Sequence, residues 1–220
     1  MQRRRISRNI PGHLFVCMAV TALLATGFPA WAAQTDSTGP ASPSFGKLAG
    51  RLLVAAPKMP DPRFARTVIF MVRHDDYGAM GLIVNRPIAT ESASTLMERL
   101  GGKGPSVDGD RKIRIHFGGP VRLSKGMFLH SSDYAEAGTI KVTDRISVTN
   151  NPEILRNLAN GVGPSKGFLV MGFAGWGPGQ LEAEMRRKDW VVVKSDSRLV
   201  FDDDMESKWR RAMDKLGVDL

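Results

Sequence analysis

Three histidines, His74, His116 and His130, are the side chains in the body of this sequence best suited to proton transfer or metal ligation near neutral pH. Asp75 and Asp76 follow the first of them directly. A group of His74, Asp75, Asp76 and His130 could therefore serve a hydrolase-like or metal-assisted reaction if the fold gathered its members. No His-x-His or His-x-x-x-His spacing fixes them in advance, so separate structural roles are the better expectation, and no metal is expected. Glu182 and Glu184 lie two apart on a predicted helix, where side chains point to different sides and cannot share a proton or an ion.

Other candidate motifs fail on context. Gly163 to Gly167 spells G-x-S-x-G, but a nucleophile elbow needs a strand before it and a helix after it, and here the order is reversed. Ser44 to Lys47 fits S-x-x-K with no S-D-N or K-T-G partner downstream. The stretch "GFAGWGPGQLEAE" imitates a dinucleotide loop, yet Gln180 stands where the third glycine belongs. It has no basic side chain to complete a phosphate site. Gly175 to Gly179 is accordingly expected to turn the chain from a strand into a helix, with positive φ available at its glycines, Gly177 among them, and with Trp176 packed over the turn. No catalytic residue can be assigned, and no cofactor is implied.

The elements that would position these residues follow from pattern. "GRLLVAAP", Arg66 to His74 and Ala79 to Asn85 have the apolar, β-branched character of strands, the last two forming a hairpin around "DDYG" and ending at Arg86-Pro87. Leu96, Met97 and Leu100 mark a short helix ended by Gly101-Gly102. "RKIRIHF", "MFLHSS" and "GTIKVT" suggest further strands. Asn151 and Pro152 open a helix that buries Ile154, Leu155 and Leu158 and stops at Gly161. "GFLVMGFAGW" reads as a buried strand, "GQLEAEMRR" as a helix and "WVVVK" as a strand. The last helix sets Met205, Trp209, Ala212, Met213 and Leu216 on one face, with Lys208, Arg211 and Lys215 on the remainder.

The chain opens with Arg3, Arg4, Arg5 and Arg8 before an apolar run from Leu14 to Gly27, too short to span a bilayer, and then Ala30-Trp31-Ala32. This is the pattern of a secretory signal peptide over residues 1–32, cleaved after Ala32, which predicts export to the periplasm and no transmembrane span in the mature chain. The alternatives are a retained anchor, or a cytoplasmic protein with a misassigned start. Cleavage would lower the formal charge of +9 by four and remove Cys17, the single cysteine. Residues 33–44 are small, polar and proline-containing, a flexible linker, and a single domain is expected over 45–220. Arg186-Arg187-Lys188 and Arg210-Arg211 are basic clusters without a helix-turn-helix or zinc-finger context, so nucleic acid is not an expected partner. An unidentified protein or small-molecule ligand is.

Taken together, "LLVAAPKMPDPRFARTVIFMVRHDDYGAMGLIVNRP", "FGGPV", "FLH" and "GFAGWGPGQLEAE" resemble the YqgE/AlgH family of bacterial proteins, across Leu48 to Leu220. The resemblance implies an α+β domain whose mixed, strongly bent sheet folds towards a barrel with helices packed outside. It implies a regulatory or binding role, one branch being named for regulation of alginate synthesis, and no established reaction. Among the positions matching its signature, Asp61, His74, Asn85, Arg86, Gly118, Gly119, Pro120, His130, Gly175, Trp176, Gly177, Gly179, Gln180 and Glu182 are the candidates for a binding surface. A signal peptide on such a domain argues against a direct role in transcription.

Overall fold

The structure, a computed structural model, describes residues 48–99 and 111–216. The expected signal peptide and linker, the expected start of the domain near Phe45 and the expected helix end at Leu100 to Gly102 lie outside these residues. Strands β1 (Arg51–Ala55), β2 (Val68–Asp75) and β3 (Gly78–Ile83) form an antiparallel meander, with Leu53 opposite Ile69 and Phe70 opposite Leu82. The hairpin expected around "DDYG" is the β2–β3 turn, where Asp75 takes the backbone N–H of Tyr77. Next come β4 (Pro87–Ser92), helix α1 (Ala93–Arg99), β5 (Lys112–Phe117), β6 (Val121–Ser131), β7 (Ile140–Lys141), β8 (Ile146–Thr149) and helix α2 (Glu153–Ala159). The chain closes with β9 (Gly167–Trp176), α3 (Gln180–Arg186), β10 (Trp190–Lys194), α4 (Ser197–Phe201) and α5 (Met205–Asp214).

The described strands make one ten-stranded sheet, curled into a half-barrel, in the order β10-β1-β2-β3-β9-β6-β8-β7, with β5 and β4 branching from β9. All pairs are antiparallel except β5 with β9, so the sheet is mixed and the fold α+β, as expected. Strand alternation sends Leu52, Val54, Phe70, Leu82, Leu129, Val148, Phe168 and Val170 into one cluster that α4 and α5 close with Leu199, Phe201, Ala212 and Met213. Both halves of the sheet contribute to it, so the sheet wraps this core. The opposite faces carry two smaller clusters. Leu53, Ile69, Ile83, Trp176 and Trp190 pack with Leu181 of α3, and Ile113, Ile115 and Phe128 pack with α1 and α2.

The branch at β9 has a local cause. Phe168 and Val170 face the wrapped core, whereas Ala174 and Trp176, of the same parity, face the outer cluster. The switch falls at Gly172, whose φ of 70° turns the strand over. Gly118 and Gly119 cross it there: Gly118 N–H donates to the Met171 carbonyl, and its own carbonyl accepts from Ile83. A Cβ on Gly119, at φ 146°, would stand 2.2 Å from the Phe173 carbonyl carbon. The "FGGP" signature is thus two backbones in contact, with exposed Pro120 leading on into β6.

Three elements depart from the sequence expectation. Strand β3 does end before Arg86-Pro87, but Pro87 also opens β4, an unanticipated edge strand in which a missing N–H costs nothing. Strand β8 and helix α4 were not anticipated, because each is too short to show a period. Lys208, assigned to the solvated side of the last helix, is fully buried and donates to the carbonyls of Val200 (2.9 Å) and Asp202 (3.2 Å). Asn151 does open α2, through its side-chain oxygen to the Glu153 N–H, and Gly161 follows its end at φ 73°.

Candidate functional site

The glycine loop leads into a closed network. Trp176 ends β9, Trp190 begins β10, and their rings meet edge to face at 5.9 Å. One carboxylate oxygen of Glu184, on α3, accepts both indole N–H groups at 2.8 Å. Its other oxygen accepts from the Gln180 amide, whose carbonyl takes the Gly177 N–H at 3.1 Å. The Gly177 N–H and the side chains of Trp176 and Gln180 are therefore spent on the protein itself. The left-handed turn sits at Gly179, φ 71°, and not at Gly177, whose φ is not positive; that part of the expectation is corrected. Gly175 is an exposed strand residue opposite Met80.

On the neighbouring turn of α3, Glu182 accepts from His74 Nε2 at 2.6 Å. Glu182 and Glu184 do point to different partners. Its own backbone N–H, then His74, hold the Glu182 carboxyl below the usual carboxylate range. The second imidazole nitrogen, Nδ1, is buried and meets no hydrogen-bond partner among the described residues.

His130 is not part of this group. His74 lies opposite Ala79, and Ala79 opposite Trp176 at one end of β9, whereas His130 lies opposite Gly167 at the other end. The intervening strand is roughly 30 Å long at the usual rise. His130 is fully buried; its Nδ1 donates to the Ser131 carbonyl, and burial pushes its pKa down. Asp75 pairs with Arg73 at 2.9 Å, and Asp76 is exposed. Among the described residues no three His, Cys, Asp or Glu side chains are placed to hold a metal ion. Asp61 pairs with exposed Arg63 in a surface loop.

Asn85 and Arg86 belong to a different place. Asn85 accepts from the Val68 N–H and donates to the Arg66 carbonyl, both at 2.9 Å, fastening Arg66 at a φ of 54°. Arg86 donates to the Ala65 carbonyl at 3.2 Å. With Trp209, Arg210, Asp204 and Glu206 from the start of α5, these residues line a cleft of about 600 Å³. Arg66 lies over the Trp209 ring, whose N–H is held by the Ala55 carbonyl. Sequence reasoning missed Glu184 as the hub of the loop and Arg66 and Arg210 as neighbours of Arg86. An acceptor for two buried indoles was a signal that could have found the first; the others meet only through the fold.

The AlgH-like family model matches residues 52–220. The chain belongs to the AlgH-like family. A UPF0301 protein of Bradyrhizobium diazoefficiens is 44% identical over 193 residues, covering 84% of this chain and 90% of that one. One from Rhodospirillum rubrum is 40% identical over 174 residues, covering 79% and 90%. The solution structure of the AlgH protein from Pseudomonas aeruginosa superposes with a TM-score of 0.66 at 33% identity, covering 83% of this chain and 94% of that one. A crystal structure from Corynebacterium diphtheriae, at 24% identity and a TM-score of 0.59, shares the fold. The AlgH-like match takes in the tryptophan network, the β9 crossing and the arginine cleft, and it starts within β1.

Proposed function

We propose that this AlgH-like protein is a non-enzymatic regulatory or binding protein, exported by its N-terminal segment. The observation that carries the reading is the separation of the candidate catalytic group: His74 and His130 stand at opposite ends of β9. The signature side chains of the α3 end support it as well, since Trp176, Gln180 and Glu182 bond within the domain. Such an arrangement positions a surface; it does not assemble an acid, a base and an attacking group.

Complementation tests it. In a strain lacking the gene, folded His74→Gln, Glu182→Gln and His130→Phe variants should restore the wild-type phenotype. A stable variant that fails would return the histidines to a catalytic role. The purified protein should also keep its melting temperature in chelator, because a structural metal is coupled to folding. For export, the chain recovered from fractionated cells should begin at Ala33 outside the cytoplasm, and Ala32→Arg should block processing. Full-length protein confined to the cytosol would contradict it.

A further inference from the structure

We propose that the cleft between the Ala65–Arg66 turn, Asn85–Arg86 and the first turns of α5 is a binding site for a small ligand bearing an oxyanion, a phosphate or a carboxylate. This deepens the binding reading above and rests on it. Arg66, Arg86 and Arg210 all line the cleft. No ion pair joins any of the three to a carboxylate among the described residues, although Arg63, Arg73, Arg114, Arg187 and Arg211 are each paired with one nearby. A guanidinium is permanently charged and presents a planar fork of donors that matches two oxygens of a carboxylate or phosphate.

The scaffold beneath these side chains is set rather than loose. A non-glycine residue at positive φ persists only where its surroundings hold it, and Asn85 does so for Arg66 with two hydrogen bonds to the backbone on either side of Thr67. One guanidinium nitrogen of Arg86, Nη2, donates to the Ala65 carbonyl, which fixes the head of the side chain and leaves its other donors for a ligand. Trp209 gives the cleft an aromatic wall with its N–H already satisfied.

Two carboxylates share the cleft and shape the expectation. Asp204 is committed to capping α5, where it accepts from the Ser207 N–H and hydroxyl and lies 3.7 Å from Arg211. Glu206 is exposed and pairs with nothing among the described residues, so it opposes an incoming anion through space. Removing its charge should strengthen binding, an effect that a purely structural role for the arginines would not produce.

The test uses the mature chain with inorganic phosphate, pyrophosphate and citrate, by calorimetry and by melting temperature at constant ionic strength. At least one anion should bind saturably and raise the melting point by mass action. Arg210→Gln, which breaks no bond within the structure, should weaken that binding on the order of tenfold. Arg86→Gln should do the same, Glu206→Gln should tighten binding about twofold or more, and Arg51→Gln outside the cleft should leave it unchanged. Preference for pyrophosphate over citrate, or the reverse, identifies phosphate or carboxylate as the natural group. Failure of all three anions to bind, or binding that survives Arg210→Gln and Arg86→Gln, overturns the site. That failure would leave the non-enzymatic reading standing, because the histidine variants test it separately.

Discussion

Glu184 shows how much a single side chain can hold. Replacing it with alanine strips the acceptor from two indole N–H groups on tryptophans that are 7% and 5% exposed. At roughly 1–3 kcal/mol for each buried donor left unpaired, Glu184→Ala should lower unfolding free energy by about 2–6 kcal/mol in urea. A change below about 0.5 kcal/mol, the range of ordinary surface substitutions, would refute the hub. Trp176→Ala should cost about 3–5 kcal/mol through the cavity it leaves. The glycines of the loop divide sharply. Gly177→Ala should be close to neutral, since its new Cβ would meet only the Gln180 Oε1 atom at 3.9 Å, whereas Gly119→Ala drives a Cβ into the backbone of β9 and should prevent folding. The sequence made this loop visible as a turn under a tryptophan. It could not say which glycine carries positive φ, because that depends on where the helix starts, and α3 starts one residue after Gly179.

Within α5, the element that sequence reading placed best, burial has consequences for pH. Lys208 is fully buried beneath Arg114 and Arg211, facing Asp202, and burial pushes its pKa down to about 8 despite that carboxylate. His116 stacks on Phe168 at 4.1 Å with both ring nitrogens unpartnered among the described residues, and burial, helped by Arg114 and Lys208, pushes it down to about 3. Both are bases whose folded pKa lies below the unfolded value, so the unfolded chain binds the extra proton and stability rises with pH through each window. For His116 the window is pH 3 to 6.5, and up to about 5 kcal/mol is lost on acidification across it. His116→Phe should keep the stacking and flatten the part of the acid limb above pH 4, measured as the difference from wild type in urea. For Lys208 the window is pH 8 to 10.5, with a gain of up to about 3 kcal/mol. Lys208→Met should abolish that gain, and an unchanged alkaline slope would mean that the ammonium is hydrated. The amphipathic stripe of α5 was legible because Met205, Trp209, Ala212 and Met213 recur at helical spacing. The burial of Lys208 was not, since it depends on carbonyls at the end of α4, an element with no period of its own.

For the molecule as a whole, the class of fold followed from the family resemblance carried by the spaced motifs, and most strands along the chain were legible because alternation and turn residues are local. The branching of the sheet was not: it rests on Gly118, Gly119 and Gly172, which meet only after three strands have docked on β9. The arginine cleft is of the same kind, assembled from positions near 66, 86 and 210. Because β9 belongs to both halves of the sheet, neither half should open alone. Native-state hydrogen exchange should find the β9 amides between Gly167 and Trp176 released only with global unfolding, and β2 and β6 amides at the same free energy. Separate exchange classes for the two halves would show that the branch does not couple them.

The position of β9 along the chain also sets the timing of folding. The strand that joins β3, β5 and β6 begins at Gly167, and the partner of β1, β10, is completed only at Lys194. Everything synthesised before that point has edges without partners, so a nascent chain cannot settle into the native sheet while its C-terminal quarter is still on the ribosome. The export proposed above would be helped by such lateness, because a translocation pore passes an unfolded chain. Ribosome-bound chains ending at 160 should be cleaved by protease throughout, while chains extended past 216 and clear of the exit tunnel should resist it.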